Sequence, residues 1–242
     1  MIKFFRKIRQ QLITENKFSK YIIYAIGEIV LVVVGILIAL SINNWNTNKN
    51  LRVLEKELLF DIRENLNASV TNLESSISYN KITLINYEKI LSHVKEDLPY
   101  NNSLDSAFSY ISYWSDPNFT YTAYETLKSK GLDIIQNDSL KNTITEIYEQ
   151  YFPFVIGELK GEWELHQSLV LPFVAKNILY INTEIARPNN YDSLKSNDEF
   201  HNIMGLKIIT RKNSIQFTEM TKAKVSSLIV EIDIELAKNK EG

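Results

Sequence analysis

Apolar residues fill the stretch KYIIYAIGEIVLVVVGILIALSINNWN, Lys20 to Asn46, almost without interruption, and then give way to a spaced pattern. From Tyr21 to Ile42 there are 22 residues with one charge, Glu28. As a helix this run spans about 33 Å and matches a hydrocarbon core of roughly 30 Å, which predicts a transmembrane helix over 21–42. Val32, Val33, Val34 and their Ile and Leu neighbours are apolar all round the wheel, unlike a half-exposed globular helix. Tyr21 and Tyr24 at one end and Trp45 at the other suit the two interfaces.

Beyond the run, Leu51, Leu54, Leu58, Ile62, Leu66, Val70, Leu73 and Ile77 step by three or four residues, and Ile82, Ile85, Tyr87, Ile90 and Leu91 carry the pattern to Val94. Neither Gly nor Pro occurs between Ala39 and Leu98. Unbroken from Thr47 to Val94, this helix would be about 70 Å long, and a kink or a stalk is expected in it. A second helix is predicted over Leu104 to Trp114, capped by Asn102 or Ser103, and a third over Tyr121 to Lys130, ended by Gly131. A long helix capped by Asn137 or Asp138 follows, which Pro153 and Pro172 should kink or divide. Asn182 to Asp198 reads as a loop, Glu199 to Met204 as a helical turn ending at Gly205, and Leu206 to Lys238 as the last long helix. Its buried side is assigned to Ile208, Ile215, Met220, Val225, Leu228, Ile229, Ile232 and Leu236. No segment of strand period stands out. The expected fold is all-α: an N-terminal transmembrane helix followed, over 43–242, by an extracytoplasmic antiparallel helical bundle.

Charge sets the orientation. Before Tyr21 lie six basic residues, Lys3, Arg6, Lys7, Arg9, Lys17 and Lys20, against one acid, Glu15, although the chain as a whole has a net charge of -2. The positive-inside rule therefore places 1–20 in the cytoplasm and the rest across the membrane. Met1, Phe5, Ile8 and Leu12 follow helical spacing, so Lys3, Arg6, Lys7 and Arg9 suit a basic amphipathic helix on an anionic leaflet; a solvated, topology-setting tail is the alternative. A cleaved signal peptide competes through Ala39-Leu40-Ser41, but the long charged region and long apolar run argue against it. Within the span, Glu28 lies about 20° on the wheel from both Gly35 and Ala39. That face suits a helix–helix contact, hence a homo-oligomer, with snorkelling of Glu28 to the cytosolic interface as the alternative.

The segments MIKFFRKIRQ, ENKFSKY, YAIGEIVLVVVGILIAL and INNWN, together with the looser block AYETLKSKGLDIIQNDSLKNTITEIYE, resemble a family of uncharacterised membrane proteins from Bacteroidota, especially flavobacteria, classed as a domain of unknown function. The resemblance is specific over 1–46. It implies a single-pass protein of the bacterial inner membrane with a periplasmic helical domain, and it implies no activity.

Candidate chemistry is sparse. Cysteine is absent, which excludes a disulfide framework and a thiolate site. His93, His166 and His201 are far apart; the nearest thing to a site is Glu162 with His166, an i, i+4 pair on one helix face, and core or surface hydrogen bonding explains that pair better than a metal does. No phosphate-binding loop, dinucleotide fingerprint or nucleophile elbow is present, so neither catalytic residue, cofactor nor metal is assigned. No basic stripe outside the N-terminal tail supports a nucleic-acid partner. Seven aromatics fall between Phe108 and Tyr124, and of these Tyr110, Tyr113, Trp114, Tyr121 and Tyr124 are candidate ligand-pocket residues, with core filling as the alternative. The expected role is a sensor-like or protein-interaction module without its own output domain, partnered by the bilayer and an unidentified membrane or periplasmic protein. A structural envelope protein is the second reading and a carboxylate- or metal-dependent enzyme the third.

Overall fold

A computed structural model describes residues 18–114 and 117–238. The basic segment holding Lys3, Arg6, Lys7 and Arg9 lies outside the described residues. The chain divides into two compact units, Met1–Leu54 and Glu55–Gly242, and one helix, α1 (Phe18–Lys95), contributes to both.

In the first unit, the apolar stretch of α1 has a mean hydropathy of 2.7 over its 18-residue window, none of it buried. By length and composition it is a candidate membrane span. Gly35 and Ala39 are exposed, and an added Cβ on Gly35 would meet nothing within 4 Å. Glu28 on the same face is half-buried. After the apolar stretch, the Lys49 ammonium lies 5.6 Å from the centroid of the Trp45 ring.

The second unit is helical, in keeping with a structure in which 85% of the described residues are helical. Within it α1 runs as one continuous helix to Lys95. A 3-10 turn, Asn102–Leu104, is capped by the Asn101 side chain, which accepts a hydrogen bond from the Ser103 amide, and leads into α2 (Asp105–Ser109) and a further 3-10 turn, Tyr110–Ser112. Helix α3 (Thr122–Lys130) ends at Gly131, whose φ of 111° is accessible to glycine and strained for other residues. Asn137 caps α4 (Asp138–Glu146), accepting from the Leu140 amide.

The two prolines act differently from simple breaks. Helix α4 passes through a π turn, Ile147–Tyr151, into α5 (Phe152–Leu165), and a second π turn, His166–Val170, leads into α6 (Leu171–Asn177). A proline lacks an N–H and crowds the carbonyl four residues back, here that of Glu149 for Pro153 and Ser168 for Pro172. Both carbonyls fall inside the π turns, whose wider register accommodates the ring while the helix continues.

Asn182–Asp198, expected as a loop, carries structure. Strands β1 (Ile178–Tyr180) and β2 (Ala186–Pro188) form an antiparallel hairpin in the register Ile178 with Pro188 and Tyr180 with Ala186. The Asn182 side chain holds the turn by accepting from the amides of Glu184 and Ile185. A short helix, α7 (Tyr191–Lys195), follows. Then α8 (Asp198–Lys238) runs through Gly205, which therefore does not end a helix as expected.

Helices α1 and α8 are antiparallel. Exposed ion pairs join them, among them Arg63 to Asp233 at 3.0 Å, Glu74 to Lys222 at 3.2 Å, Lys81 to Glu219 at 2.6 Å and Glu88 to Lys212 at 2.7 Å. Each such pair contributes only about 0–1 kcal/mol, but together they fix one register. At the α8 N-terminal end a hydrophobic cluster of Tyr87, Ile90, Phe108, Phe173, Phe200 and Met204, among others, gathers α1, α2, α6 and α8.

Gly205 sits in ordinary helical space with nothing within 4 Å of an added Cβ, whereas Gly131 has a positive φ. Replacing Gly205 by Ala should raise the unfolding free energy by up to about 1 kcal/mol and Gly131→Ala should lower it by at least as much, read from denaturant midpoints of the two variants.

Candidate functional site

The faces that α1 and α8 bury follow a strict alternation of three- and four-residue steps. On α1 it runs Leu66, Ser69, Leu73, Ser76, Asn80, Thr83, Tyr87, Ile90, Val94; on α8 it runs Lys207, Arg211, Ser214, Thr218, Thr221, Val225, Leu228, Ile232. This is the heptad spacing of helices packed side by side, yet much of it is polar. Of the residues assigned to the buried side of α8, Ile215, Val225, Leu228 and Ile232 are buried. Ile208, Ile229 and Leu236 are half-buried and Met220 is exposed. On α1, Ile82 and Ile85 are exposed and Val70 is half-buried, while Ser69 and Thr83 take core positions. Several seam hydroxyls satisfy themselves locally: Ser69 donates to the Asn65 carbonyl at 2.9 Å, Thr83 to Tyr79 at 2.9 Å and Thr218 to Ser214 at 2.6 Å.

Charges converge in the middle of this seam. Arg211 is 0% exposed, and its Nη2 lies 2.8 Å from Glu162 Oε1 on α5 while its Nη1 donates to Asn80 Oδ1 on α1 at 2.5 Å. Ser214 Oγ donates to the other Glu162 oxygen at 2.9 Å. One turn back along α8, Lys207 Nζ lies 3.1 Å from His166 Nδ1, and its ammonium sits 5.2 Å from the Tyr87 ring centroid. The Arg211 guanidinium faces Trp114 at 5.6 Å, and Trp163 stacks on the His166 ring at 5.6 Å. Helical spacing of four residues within each pair, Glu162 with His166 and Lys207 with Arg211, sets the two carriers of charge opposite each other.

Burial, reinforced by the neighbouring Lys207 and Arg211 charges, pushes the His166 imidazole down to about 4, an effect the Ser112 backbone partly offsets. Burial also pushes Lys207 down to about 7, aided by Arg211 and opposed by Glu162. At neutral pH the imidazole is therefore neutral, and the Lys207 donor assigns Nδ1 as acceptor, leaving the ring proton on Nε2. Burial likewise raises the Tyr87 hydroxyl well above its ordinary value. The Glu162–His166 pair is thus spent on hydrogen bonds and ion pairing within the core. Among the described residues no three His, Cys, Asp or Glu side chains come together as a metal cage would need.

The candidate pocket aromatics divide three ways. Tyr110 and Tyr113, 5.6 Å apart, join Tyr79 on a polar cleft of about 630 Å³ that Asp105 and Glu184 also line. Trp114 and Tyr121 line a separate groove of about 540 Å³ with Phe119, Ile156, Lys160 and Trp163. Tyr124 is buried, stacked on Tyr148 at 4.5 Å, with its hydroxyl donating to Glu149 at 2.8 Å. Trp163, Lys207, Arg211 and Asn80 escape a reading of apolar spacing; the three-and-four alternation of polar residues, on α8 for Lys207 and Arg211 and on α1 for Asn80, is the signal that locates the last three.

Over residues 28–214 the chain matches the model of DUF6090, a family of unknown function, and it belongs to that family. The match covers most of the helical domain, whereas the resemblance read from the sequence is strongest before Asn46. No curated protein and no solved structure matches the chain.

His166 and Lys207 both bind protons more readily in the unfolded chain, so stability should rise with pH, from about 4 to 6.5 through His166 and from about 7 to 10.5 through Lys207. Lys207→Met should flatten the upper arm of the midpoint-against-pH curve and His166→Leu the lower. Arg211→Met leaves Glu162 buried without its countercharge and should cost about 3–5 kcal/mol, most of it recovered in the Glu162→Leu/Arg211→Met double variant.

Proposed function

We propose that the chain is a single-pass protein of the bacterial inner membrane, with its N-terminus cytoplasmic and its helical domain in the periplasm, where it serves as a sensor-like or protein-interaction module. The observation that carries this reading is the exposed apolar surface of α1. From Ile29 to Ile42 every residue is exposed, and nearly all are Ile, Leu or Val. At about 25 cal/mol per Å² of apolar surface, a helix of this kind is stable only in lipid or against an equally apolar partner.

Orientation follows from the six basic residues before Tyr21. The resemblance of residues 1–46 to Bacteroidota membrane proteins supports an inner-membrane, periplasmic placement. For the domain itself, the polar centre is sealed beneath aromatic rings, so recognition falls to the exterior and its grooves rather than to a reacting centre inside. An interaction role suits such a surface better than catalysis does.

Membrane fractions should retain the chain after alkaline carbonate washing, and Ile29→Asp/Val33→Asp should release it. Alkaline phosphatase fused after Lys238 should be active and the same enzyme fused before Lys20 inactive; the reverse pattern would overturn the orientation. Purification in mild detergent should bring down a stoichiometric partner or a second copy, and a lone monomer would count against the interaction role.

A further inference from the structure

We propose that the groove lined by Trp114, Phe119, Tyr121, Ile156, Lys160 and Trp163 binds a small anion with a flat apolar body, such as an aromatic carboxylate. The proposal concerns only the helical domain and does not depend on how the chain is placed in a membrane.

The groove has a rigid aromatic wall. Phe119 lies flat on the buried Phe152, with centroids 4.1 Å apart and planes 10° from parallel, and Tyr121 meets Phe152 and Tyr148 edge-on. Trp114 and Trp163 form a corner, 5.4 Å apart and inclined by 51°, and both remain partly exposed. Their inner faces are held by the buried core: Trp114 by the Arg211 guanidinium and Trp163 by the His166 ring. Their outer faces are left for an occupant. A groove of about 540 Å³ suits a molecule of one or two rings.

Charge selects the anion. Among the described residues of the lining, Lys160 is the one charged side chain. It is exposed, and it pairs with no carboxylate among the described residues. Beneath the tryptophans, Arg211 pairs with Glu162 and Lys207 lies against the His166 ring, so the buried layer described there adds no negative excess. A planar ligand can stack in the Trp114–Trp163 corner and direct its carboxylate to Lys160, with Asn118 at the rim as a further polar group.

Trp114 and Trp163 are two of the three tryptophans in the chain, so their emission reports on the groove, in parallel with calorimetry. The full chain in lipid nanodiscs, with empty nanodiscs as the blank, is titrated with 2-naphthoate and with its uncharged amide. Saturable binding of the carboxylate above the blank is expected, with the amide binding several-fold more weakly. Lys160→Glu should weaken the carboxylate by about fivefold or more, the scale of an exposed ion pair, and leave the amide unchanged. Ile156→Glu should weaken the carboxylate as well. Both replaced side chains are exposed, so the thermal melts of the variants should match the parent. Absence of saturable binding, equal binding of acid and amide, or an unaltered carboxylate affinity in Lys160→Glu would each overturn the proposal.

Discussion

An arginine with no exposed surface stands at the centre of the helical domain, and the surrounding structure follows from keeping its charge partnered. Water has been exchanged for three groups: the Glu162 carboxylate on α5, the Asn80 amide oxygen on α1 and the face of Trp114, just past the Tyr110–Ser112 turn. Glu162 in turn takes a hydrogen bond from Ser214, so a carboxylate that would be costly alone is bound from two sides. Such a centre is not the most stabilising filling for a core, since an apolar repacking of similar volume is often as good or better. It is a demanding one, because α1, α5 and α8 must all arrive in a single register for any of these charges to be satisfied.

That requirement explains which features were legible in the sequence. The candidate span, the caps at Asn137 and Gly131 and the long helices on either side of the chain follow from local chemistry, and the structure contains them. The buried face of α8 does not follow from hydrophobicity, because Lys207, Arg211, Ser214, Thr218 and Thr221 are counted as surface by any scale that equates burial with apolarity. Their spacing was informative where their type was misleading. The hairpin was hidden for a different reason: three residues per strand are too few to show a period of two, and its turn depends on one Asn182 side chain. Gly205 looked like a terminator because glycine favours helix ends, but packing along α8 overrides a local preference of about 1 kcal/mol.

The candidate groove and the sealed cluster share their aromatic boundary. Trp114 and Trp163 separate the charges from solvent, and the second π turn begins at His166, directly behind Trp163. Widening the helix at this point lets Pro172 follow without a break while His166 still meets Lys207. Of the aromatics between Phe108 and Tyr124, only those next to α5 line this groove; composition alone could not separate them from Tyr124, which fills the core.

The antiparallel seam also dictates an order of events. The partners of Asn80 and Glu74 lie 131 and 148 residues further along the chain, and that of Arg63 lies 170 residues away. Contacts of such sequence separation carry a large loop-closure entropy and form late. A ribosome adding roughly 5–20 residues per second would leave the polar face of α1 without its partner for on the order of ten seconds. The serine, threonine and asparagine residues along that face make the interval tolerable. A helix with a wettable seam can wait in water for α8, where one lined wholly with leucine would seek the nearest other chain.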